Sequence, residues 1–242
     1  MKRILLALAI FLPLSAQAAH PIVADLAMRG IEIDTSFTGI DILLFGARDE
    51  AGDVVVVVRG PKRDYVVRKK ERTMGIWMTR GQKKLSDVSS FYAVSSSRPV
   101  ARIDNGYLLT ALGLGADNWG WRGEKSERLN KNDDFAEALY RIKKETGLYA
   151  EEEKVSFWGD TLFRTNLRFP ANIEGGTYLA EVYLFSGGRL VSVQSTPIHV
   201  KKIGFEAFTY EFAHEHAVLY GLSAIFLALF AGWLASVVFR RA

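Results

Sequence analysis

Twenty-three consecutive residues without a charge, Ala217–Phe239, run directly into Arg240 and Arg241. A helix of about 20 residues crosses the ~30 Å hydrocarbon core of a bilayer, so this run predicts one C-terminal transmembrane helix over 217–239. A buried core helix is the competing explanation, but such a helix normally keeps a polar face. Basic residues beside a span stay on the cytoplasmic side. Residues 240–242 are therefore expected to be a short cytoplasmic tail.

The opposite end carries a different apolar segment. Lys2 and Arg3 precede the run 4–14, and "SAQAAH" follows. A basic start, about a dozen apolar residues and an Ala-x-Ala site are the parts of a secretory signal. Residues 1–18 are expected to be that signal, with cleavage after Ala18 or, alternatively, after Ala19. The two ends together place residues 19–210 outside the membrane. A bacterial inner membrane with the ectodomain in the periplasm suits them best. Without Lys2, Arg3, Arg240 and Arg241 the 31 basic residues come down to balance the 27 acidic ones, a neutral domain that argues against nucleic acid as a partner. The chain has no cysteine, which excludes a lipoprotein anchor, disulfides and thiolate metal sites. Its core alone must hold the domain, and ~190 residues can bury one.

Hydrophobic periodicity makes the ectodomain mainly β. "GIEIDTSF" alternates, residues 40–46 form a second strand, and five valines at 54–58 read as a strand covered on both faces. "DYVVRKKE" and "GIWMTR" read as shorter strands. "NKNDDFAEALYRIKKETGLY" is a helix, with Asn132 as a cap, acidic Asp133 and Asp134 at its start, and Lys143 and Lys144 at its end. Phe135, Leu139 and Ile142 form its expected apolar face, Glu137 and Arg141 an ion pair, and Gly147 its stop. A second helix is expected at 107–112. "DTLFRTNLRFP" is a strand, and "GGTYLAEVYLFSGGRLVSVQSTPIHV" is a hairpin turning at Ser186-Gly187-Gly188. "FPANIEGGTY" resembles the corner of an immunoglobulin-like sandwich, where a tyrosine hydroxyl ties back the preceding connection. The expectation is an immunoglobulin-like β-sandwich with a helical insertion at about 75–150. Two small separate domains are the alternative.

No stretch carries a catalytic signature. Ser95, Ser96 and Ser97 lack a nucleophile-elbow pattern and read as loop. "GLGADNWGWRGE" is not a strand–glycine loop–helix unit, and Trp119 and Trp121 read as packing residues. Glu151, Glu152 and Glu153 read as a solvated turn. His214 and His216, with Glu211 and Glu215, are the weak candidates for a metal site. Residues two apart on a helix diverge by about 200°, so the two imidazoles cannot chelate from one face. His20 is a weaker candidate still. No metal and no cofactor is assigned.

Two features are more informative. Residues 59–84 hold ten basic side chains, Lys62, Arg63, Arg68, Lys69 and Lys70 among them, against Asp64 and Glu71. Such a segment is a solvated face or a surface for anionic headgroups, an acidic partner or a small oxyanion. In the span, Gly221, Ala224, Ala228, Gly232 and Ser236 form a seam of small side chains, along which a second helix can approach closely.

"FGARDEAGDVVVVVRGP", "LFRTNLRFPANIEGGTYLAEVYLFSGGRLV" and "FAHEHAVLYGLSAIFLALFAGWLASVVFRR" together resemble an alphaproteobacterial family of transmembrane proteins. The resemblance spans essentially the whole chain after residue 18. It implies an exported domain, one C-terminal span and an association with sulfite-exporter-like permeases of the TauE/SafE type. It carries over no catalytic or ligand residues. The expected function is a non-enzymatic accessory protein whose helix packs in the lipid bilayer on such a permease or, as a homo-oligomer, on a second copy. The alternative is a periplasmic metal- or anion-binding module merely tethered by its helix.

Overall fold

The computed structural model describes residues 21–103, 106–115, 133–204, 210 and 212–239. The expected signal segment 1–18, His20, Trp119, Trp121, Asn132, Glu211 and the tail 240–242 lie outside the described residues. The chain is mainly β. It contains β1 (Ile22–Leu26), β2 (Gly30–Ile33), β3 (Gly39–Arg48), β4 (Asp53–Arg59), β5 (Lys62–Thr73), β6 (Ile76–Ser89) and β7 (Tyr92–Ser96). A 3-10 turn (Val100–Arg102), α1 (Tyr107–Leu112) and α2 (Asp134–Glu145) follow. Then come β8 (Glu153–Lys154), β9 (Ser156–Trp158), β10 (Leu162–Pro170), β11 (Gly176–Ser186), β12 (Arg189–Lys202) and the apolar helix α3 (Ala217–Phe239).

Two sheets enclose the main core. One has the order β1-β3-β10-β9, the other β2-β12-β11-β4-β7-β8. The pairs in the first are antiparallel, and β2 joins the second parallel to β12. Period-2 patterning decides which side chains meet between them. Leu44, Phe163, Leu167 and Phe169 come from the first sheet, and Val56, Tyr178, Ala180, Val182 and Ile198 from the second. Residues 54–58 are all fully buried, as a strand covered on both faces requires. Val54, Val56 and Val58 face the main core. Val55 and Val57 face a second core, where Leu109 of α1, Ile103 and Tyr149 cover the outside of the sheet. β11 splits the same way, with Tyr183 and Phe185 joining the second core. Its hairpin to β12 closes through Gly187 (φ +57) and Gly188 (φ +78), a two-residue turn whose left-handed positions glycine fills without strain.

The strands continue past residue 75, so the helical insertion starts later than expected. Residues 76–89 pair with β5, and residues 92–96 add β7 to the second sheet beside β4. Between β7 and β8 the described helical residues begin at Val100 and end at Glu145. "SSSRP" is therefore partly strand, because Ser95 and Ser96 are the buried end of β7. β1 falls in a stretch too short for its alternation to be read.

The buried face of α2 is also rotated from the expected one. Ala136, Leu139 and Lys143 are buried, while Ile142 is half exposed. Arg141 pairs with Glu145 at 4.0 Å, not with Glu137. Asp133 is the N-cap and accepts from the Phe135 amide at 3.1 Å. Gly147 (φ +73) stops the helix, and the Leu148 amide folds back to the Lys143 carbonyl at 2.9 Å.

Candidate functional site

β5 and β6 stand apart from both sheets as a two-stranded ribbon. Its root is held by α2. Leu85, Val88 and Leu139 form a small core with Tyr65 and Val67 against it. Lys83 binds the Asp133 carboxylate, and Lys69 reaches Asp134 at 3.7 Å. Below this, Lys143 is buried. Its ammonium donates to the Tyr65 hydroxyl at 2.7 Å and to the Ser90 carbonyl at 3.0 Å, and sits 4.1 Å from the Tyr65 ring centroid. The Tyr65 hydroxyl in turn donates to Glu174 at 3.3 Å. Burial lowers the Lys143 pKa and raises that of Tyr65. This chain of contacts joins α2, the ribbon and the β10–β11 connection. The sequence concealed it, because a lysine in the last turn of a helix normally faces water.

The five expected basic residues divide into two groups. Arg63 pairs with Glu174 at 3.2 Å and Lys69 with Asp134, so both serve the root. Lys62, Arg68 and Lys70 have no ion pair among the described residues. Cross-strand partners share a face, so the register sets Arg68 beside Gln82, Lys70 beside Thr79 and Arg72 beside Trp77 on the side away from α2. The two-residue tip is Met74-Gly75, with Met74 99% exposed at φ +51 and Gly75 at φ +85. Ile76, Trp77 and Met78 beside it are exposed too.

The histidines engage separate partners. His214 stacks on Tyr210 with ring centroids 4.0 Å apart and shares a hydrogen bond with the Tyr210 carbonyl at 2.9 Å. His216 meets the edge of Phe212 at 5.9 Å. Among the described residues no three His, Cys, Asp or Glu side chains are grouped to hold a metal ion. Glu152, expected in a solvated turn, instead accepts from the Ser96 hydroxyl and from the Val100 amide at 2.9 Å.

On the outer face of the first sheet lies an open apolar depression of about 380 Å³, lined by Val23, Phe45, Trp158, Leu162 and Arg164. Asp25, its only acid, is bound to Arg29 at 2.8 Å, which holds its carboxyl below the usual range. Such a lining has too few free polar groups to orient a polar substrate.

α3 is long and apolar enough to cross a membrane, and none of its span is buried. Gly221, Ala224, Ala228, Gly232 and Ser236 lie along it at steps of three and then four residues. Nothing stands within 4 Å of where a Cβ would project from Gly221 or Gly232. Phe226, Phe230 and Trp233 stack along the helix, with centroids 6.5 and 6.1 Å apart. No curated protein matches the chain. The family profile described as "Putative transmembrane protein (Alph_Pro_TM)" matches residues 21–241, helix and β-domain together, and the chain belongs to that alphaproteobacterial family.

Proposed function

We propose that the protein is an accessory component of the bacterial inner membrane, with its β-domain in the periplasm and Arg240 and Arg241 in the cytoplasm. The partner is a permease of the sulfite-exporter-like TauE/SafE type or a second copy of the chain. The observation that carries this reading is the seam on α3. Small side chains at four-residue spacing let two helix backbones come close, and in lipid that packing drives association. A helix that served only as a tether would gain nothing from it.

The β-domain is read as immunoglobulin-like. The order β1-β3-β10-β9 corresponds to strands ABED of such a sandwich, and β12-β11-β4-β7 to GFC with an added C′. Tyr178, at the start of β11, donates its hydroxyl to the Glu174 carbonyl four residues upstream at 2.8 Å, as a tyrosine corner does.

The test is Ala224→Leu, Ala228→Leu and Gly232→Leu in one chain. The variant is expected to remain in carbonate-washed membranes but to lose the partner recovered in mild detergent. Where the partner is a second copy, the variant is also expected to lose the disulfide cross-link formed through a cysteine placed at Ser236. Unchanged recovery and cross-linking would refute the seam as a docking face. Protease digestion of the β-domain in intact spheroplasts checks the orientation separately.

A further inference from the structure

We propose that the tip of the β5–β6 ribbon is a second membrane contact, docking on the anionic phospholipid surface of the bilayer in which α3 is anchored. The proposal rests on the membrane-anchored reading of α3.

Four observations converge on the tip. The first is composition. Met74, Ile76, Trp77 and Met78 are all more than half exposed at the end of a ribbon that no other described element covers beyond α2. Four large apolar side chains on one hairpin end are costly in water and mark a surface made to be covered.

The second is the backbone. Both central residues of a type I′ turn have positive φ, so asparagine or aspartate followed by glycine is the ordinary choice. Here the first position is methionine at φ +51. Methionine gains nothing from that conformation, and its side chain touches almost nothing. The local backbone preference has yielded to a requirement for an apolar group at the outermost point.

The third is charge. Cations near the root are spent on α2, through Lys83 on Asp133 and Lys69 on Asp134. Arg68, Lys70 and Arg72 have no ion pair among the described residues, and the register puts all three on the face that carries Trp77. Cations then meet phosphates while an indole sits at headgroup depth, the division of labour of interfacial segments.

The fourth is reach. β5 has 12 residues, about 40 Å at the ordinary strand rise. Fourteen residues separate β12 from α3, and with residues 210 and 212–215 helical they extend at most about 40 Å. The tether therefore keeps the domain within roughly the ribbon's own length of the bilayer. Anchorage of this kind also supplies a high effective concentration, so a weak contact is sufficient. An acidic protein partner is less well matched. A ribbon two strands wide offers four splayed side chains and no packed surface for a complementary interface.

The test uses the full chain in lipid nanodiscs, and the natural lack of cysteine makes site-specific labelling direct. An environment-sensitive fluorophore on Met74→Cys is read against quenching by doxyl-labelled phospholipid. In discs of phosphatidylcholine with roughly one-third phosphatidylglycerol the label is expected to be quenched, and the ratio of docked to free tip is expected to fall about tenfold or more with Arg68→Gln, Lys70→Gln and Arg72→Gln combined. Met74→Asn, with the label moved to Met78→Cys, is expected to reduce quenching while the melting temperature holds or rises, which separates docking from folding. An unquenched tip, while a label on Leu229→Cys is quenched, overturns the proposal and leaves the anchor standing. A Leu229→Cys label that is also unquenched overturns the anchor first. Protection of the tip by a co-purifying protein, without lipid quenching, overturns the proposal in favour of protein docking.

Discussion

Arg59 is the residue on which the second sheet and α1 depend together. Its guanidinium pairs with the buried Glu181 carboxylate across the β4–β11 register, and donates to the carbonyls of Leu112 and Gly113 at 2.8 and 2.9 Å. Those carbonyls lie at the C-terminal end of α1, where a cation satisfies groups the helix leaves open. The side chains are only 12% and 4% exposed, so removing one partner strands the other's charge in the interior. Glu181→Gln is expected to cost about 3–5 kcal/mol, read from the urea midpoint in detergent. Arg59→Met with Glu181→Leu is expected to recover only part of that loss. The apolar pair removes the stranded charge, yet the Leu112 carbonyl still loses its donor.

At the scale of elements, the acidic cap of α2 is one of the contacts that fasten the ribbon to the domain. The Asp133 carboxylate is held below its ordinary pKa by the hydrogen bond from Lys83 and then by the Phe135 amide. A carboxyl with a lower pKa in the folded state adds stability above its unfolded value of about 3.9, and that stability is lost as the pH falls through the folded value. Asp133→Ala is expected to cost ~1 kcal/mol at neutral pH, mostly as the lost cap. Asp133→Asn is expected to keep the cap but to flatten the acid limb of the urea midpoint against pH. The position of α2 was legible from its acidic start, basic end and Gly147, but its facing was not. Apolar spacing favoured Phe135, Leu139 and Ile142, whereas the site under α2 offers Lys143 two oxygen acceptors, the Tyr65 hydroxyl and the Ser90 carbonyl, and the Tyr65 ring. The valine run of β4 and the faces of β11 were legible because burial on both sides leaves no polar alternation to misread. β7 was not legible, because its serines look like loop until their partners on β4 are known.

For the whole molecule, the cores and the candidate contact surfaces are separate. The two larger cores draw on the sheets, α1 and its neighbours, and the third stops at Val67 and Leu85. Ribbon residues 70–79 contribute to none of them. The membrane helix likewise buries nothing of its span. The exposed apolar tip and the cations without ion pairs therefore add nothing to these cores. A two-stranded ribbon is marginal by itself in water, so this one persists only as an extension of a docked root. Replacing residues 70–80 by Asn-Gly, to join Lys69 to its partner Gly81 through a tight turn, keeps the register of the root and tests that separation. The melting temperature is expected to stay within about 4 °C, the shift that ~1 kcal/mol produces in a domain of this size. A drop well beyond that figure would mean that the outer ribbon belongs to the folding unit. In that event the exposed methionines and Trp77 would need a structural explanation before a membrane one.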